Sequence, residues 1–204
     1  GVRGDGDVVQ AGNGHNLVVG DNGEVRAAAG FSRFLGTQPI TLGSVRAVAS
    51  PIGGSDSLTT GAGNDIVLGG IDADTIQAGE GDNLVLGDSG AIDWAARERG
   101  GLLAGDDNDP TDIDRIVSTD TDQGGSDTIT TGSGRDILLG GEDGELWTGI
   151  EVAGSGAPEV QSAPTLAGDV IDAGDGQNIV FGDNGAVFAA AQNAPQFGRS
   201  DITL

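Results

Sequence analysis

The sequence has no cysteine, no methionine and no tyrosine, and only two tryptophans and five phenylalanines among its 204 residues. Without cysteine neither a disulfide nor a thiolate metal site can form, so an extracellular chain of this kind needs another staple. So few aromatics beside 39 glycines exclude a thick globular core and suit a thin stack of turns. Bases are scarce too, with 9 Lys and Arg against 32 acids. The resulting charge of −23 argues against nucleic acid or an anionic membrane as partner, and in favour of bound cations. No apolar run approaches the roughly 18 residues of a membrane span. A methionine and a leader peptide are also missing, so the chain is expected to be an internal or processed piece of something longer.

What is present is a short repeat. From Gly53 onward, GGSDSLTTG, AGNDIVLGG, IDADTIQAG and EGDNLVLGDSG are near copies with a period of nine residues. Each copy closes a turn of Gly and small polar residues on Asp56, Asp65, Asp74 or Asn83. A strand of the form x-apolar-x follows, centred on Leu58, Val67, Ile76 or Val85. Turn and strand alternate too fast for any helix. A unit this short buries one apolar residue inward and cannot stand alone, so units must stack into a solenoid, two to a coil. Asp56 then sits above Asp74 on one edge of the stack, and Asp65 above Asn83 on the other. Stacked carboxylates repel unless a cation lies between them. Carboxylates together with the carbonyls of tight turns are the hard oxygen ligands that Ca²⁺ prefers.

The tandem copies resemble the RTX (repeats-in-toxin) calcium-binding nonapeptides, whose pattern is G-G-x-G-x-D-x-U-x. Residues 60–68 (TGAGNDIVL) fit with only the first Gly changed, and residues 69–77 (GGIDADTIQ) fit with Asp72 in place of the fourth-position Gly. The resemblance implies an all-β fold, a parallel β-roll with calcium between turns on each edge, in a secreted or cell-surface protein. Asn83 departs from the pattern, and Asn16 and Asn178 do so at the matching places, so the second edge is expected to hold calcium more weakly or not at all.

Taken in order, residues 1–23 read as the end of a β-roll block, with Asp7 matching Asp74 and Asn16 matching Asn83. Residues 24–52 and 91–123 drop the rhythm and are expected to be β-hairpin arms. Strand-like sequence begins each arm, and 44–49 or 115–119 ends it. A short helix around 94–99 competes in the second arm. Trp94, Phe31 and Phe34 are expected to seal arm against roll. Residues 53–90 form the central block, and 124–185 form another, with Asp127, Asp136 and Asp169 at the acid places and an insertion loop at about 145–167. Residues 186–204 start a further arm. Each block closes in the same corner, containing Asp21, Asp88 or Asp183. The acid there is either a further calcium ligand or a solvated Asx turn. Residues 11–42 realign without a gap on residues 173–204, so both ends fall inside a larger repeat, and end-to-end self-association within a longer array is expected.

Catalytic readings find little support. His15 is the only histidine and stands at a variable turn position, which favours a solvent-facing role over a triad. Carboxylate pairs recur in every unit, as structural ligands do and glycosidase pairs do not. Polysaccharide lyases with calcium need a Lys or Arg base in a groove and have longer coils. Arg3-Gly4-Asp5 is a chance match in so Gly- and Asp-rich a chain, and the Thr pairs at 59–60 and 130–131 do not recur on every coil as an ice-binding ladder would need. The expected function is therefore structural rather than enzymatic. The chain is expected to be a calcium-binding section of an adhesin, surface layer or matrix filament, with Asp7, Asp56, Asp65, Asp74, Asp127, Asp136, Asp169, Asp21, Asp88 and Asp183 as candidate ligands. The alternative is the secretion and folding module of an extracellular lipase or protease whose catalytic domain lies elsewhere. The insertion loop, with Trp147, Pro158 and Pro164, offers a surface for a glycan or protein partner.

Overall fold

A computed structural model describes residues 4–28, 42–48, 52–94, 113–143 and 168–188. These residues are strands and turns, with no helix among them. In chain order, the first coil is β1 (Val8–Gly12) and β2 (Leu17–Val19), and the first arm supplies β3 (Gly23–Ala27) and β4 (Leu42–Ala47). The second coil is β5 (Ser57–Thr60) and β6 (Ile66–Gly70), and the third is β7 (Thr75–Gly79) and β8 (Leu84–Asp88). The second arm then gives β9 (Gly90–Asp93) and β10 (Arg115–Ser118). A fourth coil, β11 (Thr128–Thr131) and β12 (Ile137–Leu139), and a fifth, β13 (Val170–Asp172) and β14 (Ile179–Phe181), lead to β15 (Ala186–Phe188).

The coils stack in one column. Their first strands form a parallel sheet in the order β1-β5-β7-β11-β13, and their second strands a parallel sheet in the order β2-β6-β8-β12-β14. Leu58 pairs with Ile76 and Val67 with Val85, so each repeat lies on its homologue one coil away. Between the two sheets lie Leu58, Ile76 and Ile129 from one side and Val18, Val67, Val85 and Leu138 from the other. That is the one inward residue per unit which the repeat demands.

The arms add a third layer. β3, β4, β9, β10 and β15 form an antiparallel sheet. Its Val45, Ile92, Trp94 and Ile116 are buried in one cluster with Ile66, Leu68, Leu84, Leu86, Ile137 and Leu139 of the second coil sheet. That sheet is thus covered on both faces, and the interior is thicker than the scarcity of aromatics led us to expect. Aliphatic residues at three successive positions of β6, β8 and β12 supply the extra core. Trp94 seals arm against roll, as expected, while Phe31, Phe34, residues 95–99 of the competing helix, Arg3 and Trp147 lie outside the described residues.

Because Ile92 is fully buried in an arm, truncating it tests the third layer directly. Ile92→Ala is expected to cost about 2–5 kcal/mol in denaturant unfolding, as a core truncation does. A loss below about 0.5 kcal/mol, the value for an exposed site, would show that the arms do not pack on the roll.

Candidate metal edges

The turns that join one coil to the next make the first edge, and the turns within a coil make the second. On the first edge the acids form a single file. Oδ1 of Asp56 accepts the N–H of Asp7 at 2.7 Å, Asp74 that of Asp56 at 2.7 Å, Asp127 that of Asp74 at 2.8 Å and Asp169 that of Asp127 at 2.8 Å. Oδ1 of Asp143 accepts from Asp169 and ends the file. Each acid therefore spends one oxygen tying its coil to the previous one. The other oxygen, Oδ2 of Asp56, Asp74, Asp127 and Asp169, is buried and has no hydrogen-bond partner.

Each of these oxygens lies tightly against a glycine of the neighbouring coil. A Cβ built on Gly69 would stand 2.3 Å from Oδ2 of Asp74 and 2.0 Å from the carbonyl oxygen of Gly87. The same pair recurs at Gly20 (Asp56 Oδ2 at 2.2 Å, Gly69 O at 2.3 Å), at Gly87 (Asp127 Oδ2 at 2.1 Å, Gly140 O at 2.3 Å) and at Gly140 (Asp169 Oδ2 and Gly182 O, both at 2.1 Å). Glycine is required at these positions because any side chain would collide with both the carboxylate and the carbonyl.

The second edge is built from the same turn with a different outcome. Its file runs Asn16, Asp65, Asn83, Asp136, Asn178, and each Oδ1 from Asp65 onward accepts the N–H of the residue before it. Only Asp65 leaves a buried Oδ2 without a partner here, since Thr131 Oγ1 donates to Oδ2 of Asp136 at 2.9 Å.

Four segments, residues 53–75, 59–91, 122–144 and 167–188, match the family described as RTX calcium-binding nonapeptide repeat. These segments are RTX calcium-binding nonapeptide repeats. Neither the curated proteins nor the solved structures include a match. RTX nonapeptide repeats bind Ca²⁺, so the chain is a calcium-binding repeat module.

The first edge of the RTX stack fits that ion by its chemistry. It has buried oxygens without a hydrogen-bond donor, side by side with turn carbonyls. Burial holds these carboxyls far above the usual carboxylate value of 3.8. Asp74 is pushed up to about 9 and Asp127 to about 8, mainly by desolvation, with neighbouring acids of the file adding to it against the backbone N–H that each accepts. Asp56 and Asp169 shift the same way for the same leading reason. Among the described residues no three acids converge on one point, so carbonyls must supply most of any shell.

The remaining candidates fall elsewhere. Asp7 is exposed at the first coil and Asp183 is exposed at the last. Asp21 and Asp88 stand at the base of the arms with both oxygens engaged. Asp21 accepts the N–H of Gly54 at 3.2 Å and of Ile71 at 2.7 Å, and Asp88 accepts from Gly125 at 3.1 Å and from Glu142. Each thereby clasps the chain where an arm returns to the roll. Asp143 is the member of the first-edge file that sequence reasoning passed over, although Gly140-Gly141-Glu142-Asp143 repeats the GGxD form of Gly69-Gly70-Ile71-Asp72. His15 Nδ1 accepts the N–H of Asn64 at 2.9 Å on the exposed second edge, a structural rung.

Proposed function

We propose that the chain is a calcium-stapled structural section of a secreted or cell-surface protein, an adhesin, surface layer or matrix filament, with Asp56, Asp74, Asp127 and Asp169 as its principal acid ligands. The observation that carries this reading is that every excursion leaves the roll on the first edge. Gly20 and Asp56 flank the first arm, Gly87 and Asp127 the second, and Gly140 and Asp169 the loop at about 145–167. A bound Ca²⁺ supplies the charge that the buried Oδ2 atoms lack and joins the two ends of each excursion at its base. Closing loops of that length by chain contacts alone is entropically costly, and a metal clip offsets the cost. The clasps of Asp21 and Asp88 act at the same points. Asp7, Asp65, Asp136 and Asp183 are secondary ligands in this reading.

The test compares two carboxylates by calorimetric titration with Ca²⁺. Asp74→Asn is expected to weaken calcium binding about tenfold or more, because it neutralises an acid between two sites of the first edge. Asp65→Asn, flanked by Asn16 and Asn83, is expected to change it much less. Equal losses would contradict the assignment of the edges.

Self-association of the stack follows from the same architecture. Among the described residues β1, β2 and β3 each have a neighbour on one side only, as do β13, β14 and β15. Such strand edges pair readily with another chain. Sedimentation in calcium is expected to show concentration-dependent, end-to-end association, and a strict monomer at high concentration would count against it.

A further inference from the structure

Asn83 and Asn178 of the second edge use both the oxygen and the NH₂ group of their amides, and Asn16 its NH₂ group, in a way the acids cannot. Nδ2 of Asn83 donates to the carbonyls of Gly79 at 3.1 Å and Gly81 at 3.0 Å, both in its own turn. Nδ2 of Asn16 donates to Gly12 and Gly14, each at 3.0 Å, and Nδ2 of Asn178 to Ala173 at 2.7 Å. Oδ1 meanwhile accepts the N–H of the next rung, from Asp65 to Asn83 at 3.1 Å and from Asp136 to Asn178 at 3.0 Å. The orientation of the amide is fixed by this pattern. Turned over, Oδ1 would face two carbonyl oxygens and the NH₂ group would face an N–H. On the first edge Asp56, Asp74, Asp127 and Asp169 each carry a second oxygen that can only accept, and that oxygen is buried and unpartnered.

We propose that the amides of Asn16, Asn83 and Asn178 take the place of a cation on the second edge, holding the turn carbonyls that a metal would otherwise face. Calcium is thereby favoured on the first edge, where the arms enter, while the asparagine turns of the second edge close without metal. The inference rests on the calcium reading above but concerns a different set of residues. Each of these turns is a latent divalent-cation site, closed by one NH₂ group. Replacing that group by an oxygen opens it. An acid at position 83 presents an oxygen to the carbonyls of Gly79 and Gly81, and a divalent cation is what reconciles three oxygens in that space.

The experiment measures bound calcium per chain, by equilibrium dialysis with Ca²⁺ alone, for the parent chain, Asn83→Asp and Asn83→Ala. Asn83→Asp is expected to gain about one ion per chain, whereas Asn83→Ala, which removes the amide without adding charge, is expected to gain none and to melt lower in saturating calcium. If Asn83→Asp fails to fold, Asn16→Asp repeats the test at the half-buried first coil, where a new charge has more access to solvent. An unchanged stoichiometry in a folded Asn→Asp variant overturns the proposal. So does a rise in bound calcium with Asn83→Ala. A parent chain that binds no calcium would instead sink the calcium reading itself, so the two failures are told apart.

Discussion

In chelator at neutral pH the chain is expected to lose its β-sheet spectrum, and mild acid is expected to restore part of it. Both effects come from the same file of buried acids. In the metal-free fold Asp74 is held up to about 9 and Asp127 up to about 8, chiefly by desolvation, against an ordinary value of 3.8. A carboxyl whose value is raised on folding favours the folded state fully below its unfolded value, and that contribution is lost as the pH rises through the folded value. For these two groups the loss begins near pH 4 and is complete only above about pH 9, so at pH 7 they already cost the metal-free fold several kcal/mol. That is a large part of the stability of any domain this size. Calcium bound to the ionised carboxylates is expected to remove the cost, and to release protons as it binds. Circular dichroism at pH 5 and pH 8, each with chelator and with millimolar Ca²⁺, separates the contributions. The expected order of melting temperature is calcium at either pH, then chelator at pH 5, then chelator at pH 8. Chelated protein that is more structured at pH 8 than at pH 5 would show that the acids are not the cause, and a spectrum indifferent to calcium would remove the staple altogether.

The nine-residue rhythm made much of this arrangement legible. A turn closing on Asp56, Asp65, Asp74 and Asn83 in strict period sets both the parallel stacking and the vertical neighbours, and Asp56 does lie on Asp74 and Asp65 on Asn83. Arms sealed against the roll were expected, but their joining into one sheet over a second core was not read, although the signal of that core was present. In first units the apolar residue stands between polar ones, as in Ser57-Leu58-Thr59 and Thr75-Ile76-Gln77, which is the pattern of a strand with one wet face. In second units three aliphatic residues run together, as in Ile66-Val67-Leu68 and Leu84-Val85-Leu86, which is the pattern of a strand buried on both faces. Composition alone hid this, since Ile, Val and Leu build the second core without aromatics. The clasping of Asp21 and Asp88 was beyond the sequence for a different reason. Which oxygen meets which N–H depends on where Gly54 and Gly125 re-enter after arms of some thirty residues, and no local pattern sets that position. The amide of Asn83 could be placed on its edge but not aimed, because aim follows from the carbonyls of its own turn.

A single methyl group at Gly69 is expected to abolish a calcium site that the same methyl at Gly182 leaves alone. Gly69 ends a coil on the first edge, and its φ is not among the left-handed values found at Gly63, Gly70, Gly79 and Gly81, so alanine meets no backbone strain there. The obstacle is space. The new Cβ would stand 2.0 Å from the carbonyl oxygen of Gly87 and 2.3 Å from Oδ2 of Asp74, far inside van der Waals contact, and the first of these is backbone that cannot rotate away. The coils must separate, or the carboxylate must move away from Gly69, and either separates the pair of oxygens offered to the ion. Overpacking of this kind costs about 1–3 kcal/mol where the neighbours can shift, and more where they are backbone. The lost calcium linkage adds to that, because binding to the folded state alone contributes RT ln(1 + [Ca]/Kd). At Gly182, the equivalent position on the fifth coil, a Cβ meets nothing within 4 Å. Gly69→Ala is therefore expected to lower calcium affinity at least about tenfold and to remove about 3 kcal/mol or more of stability in calcium, while Gly182→Ala stays within about 0.5 kcal/mol of the parent. Titration calorimetry and thermal melts of the two variants side by side decide the matter. If Gly69→Ala keeps the parent's affinity, the ion does not sit between Asp74 and Gly87, and the first edge holds its calcium through other oxygens.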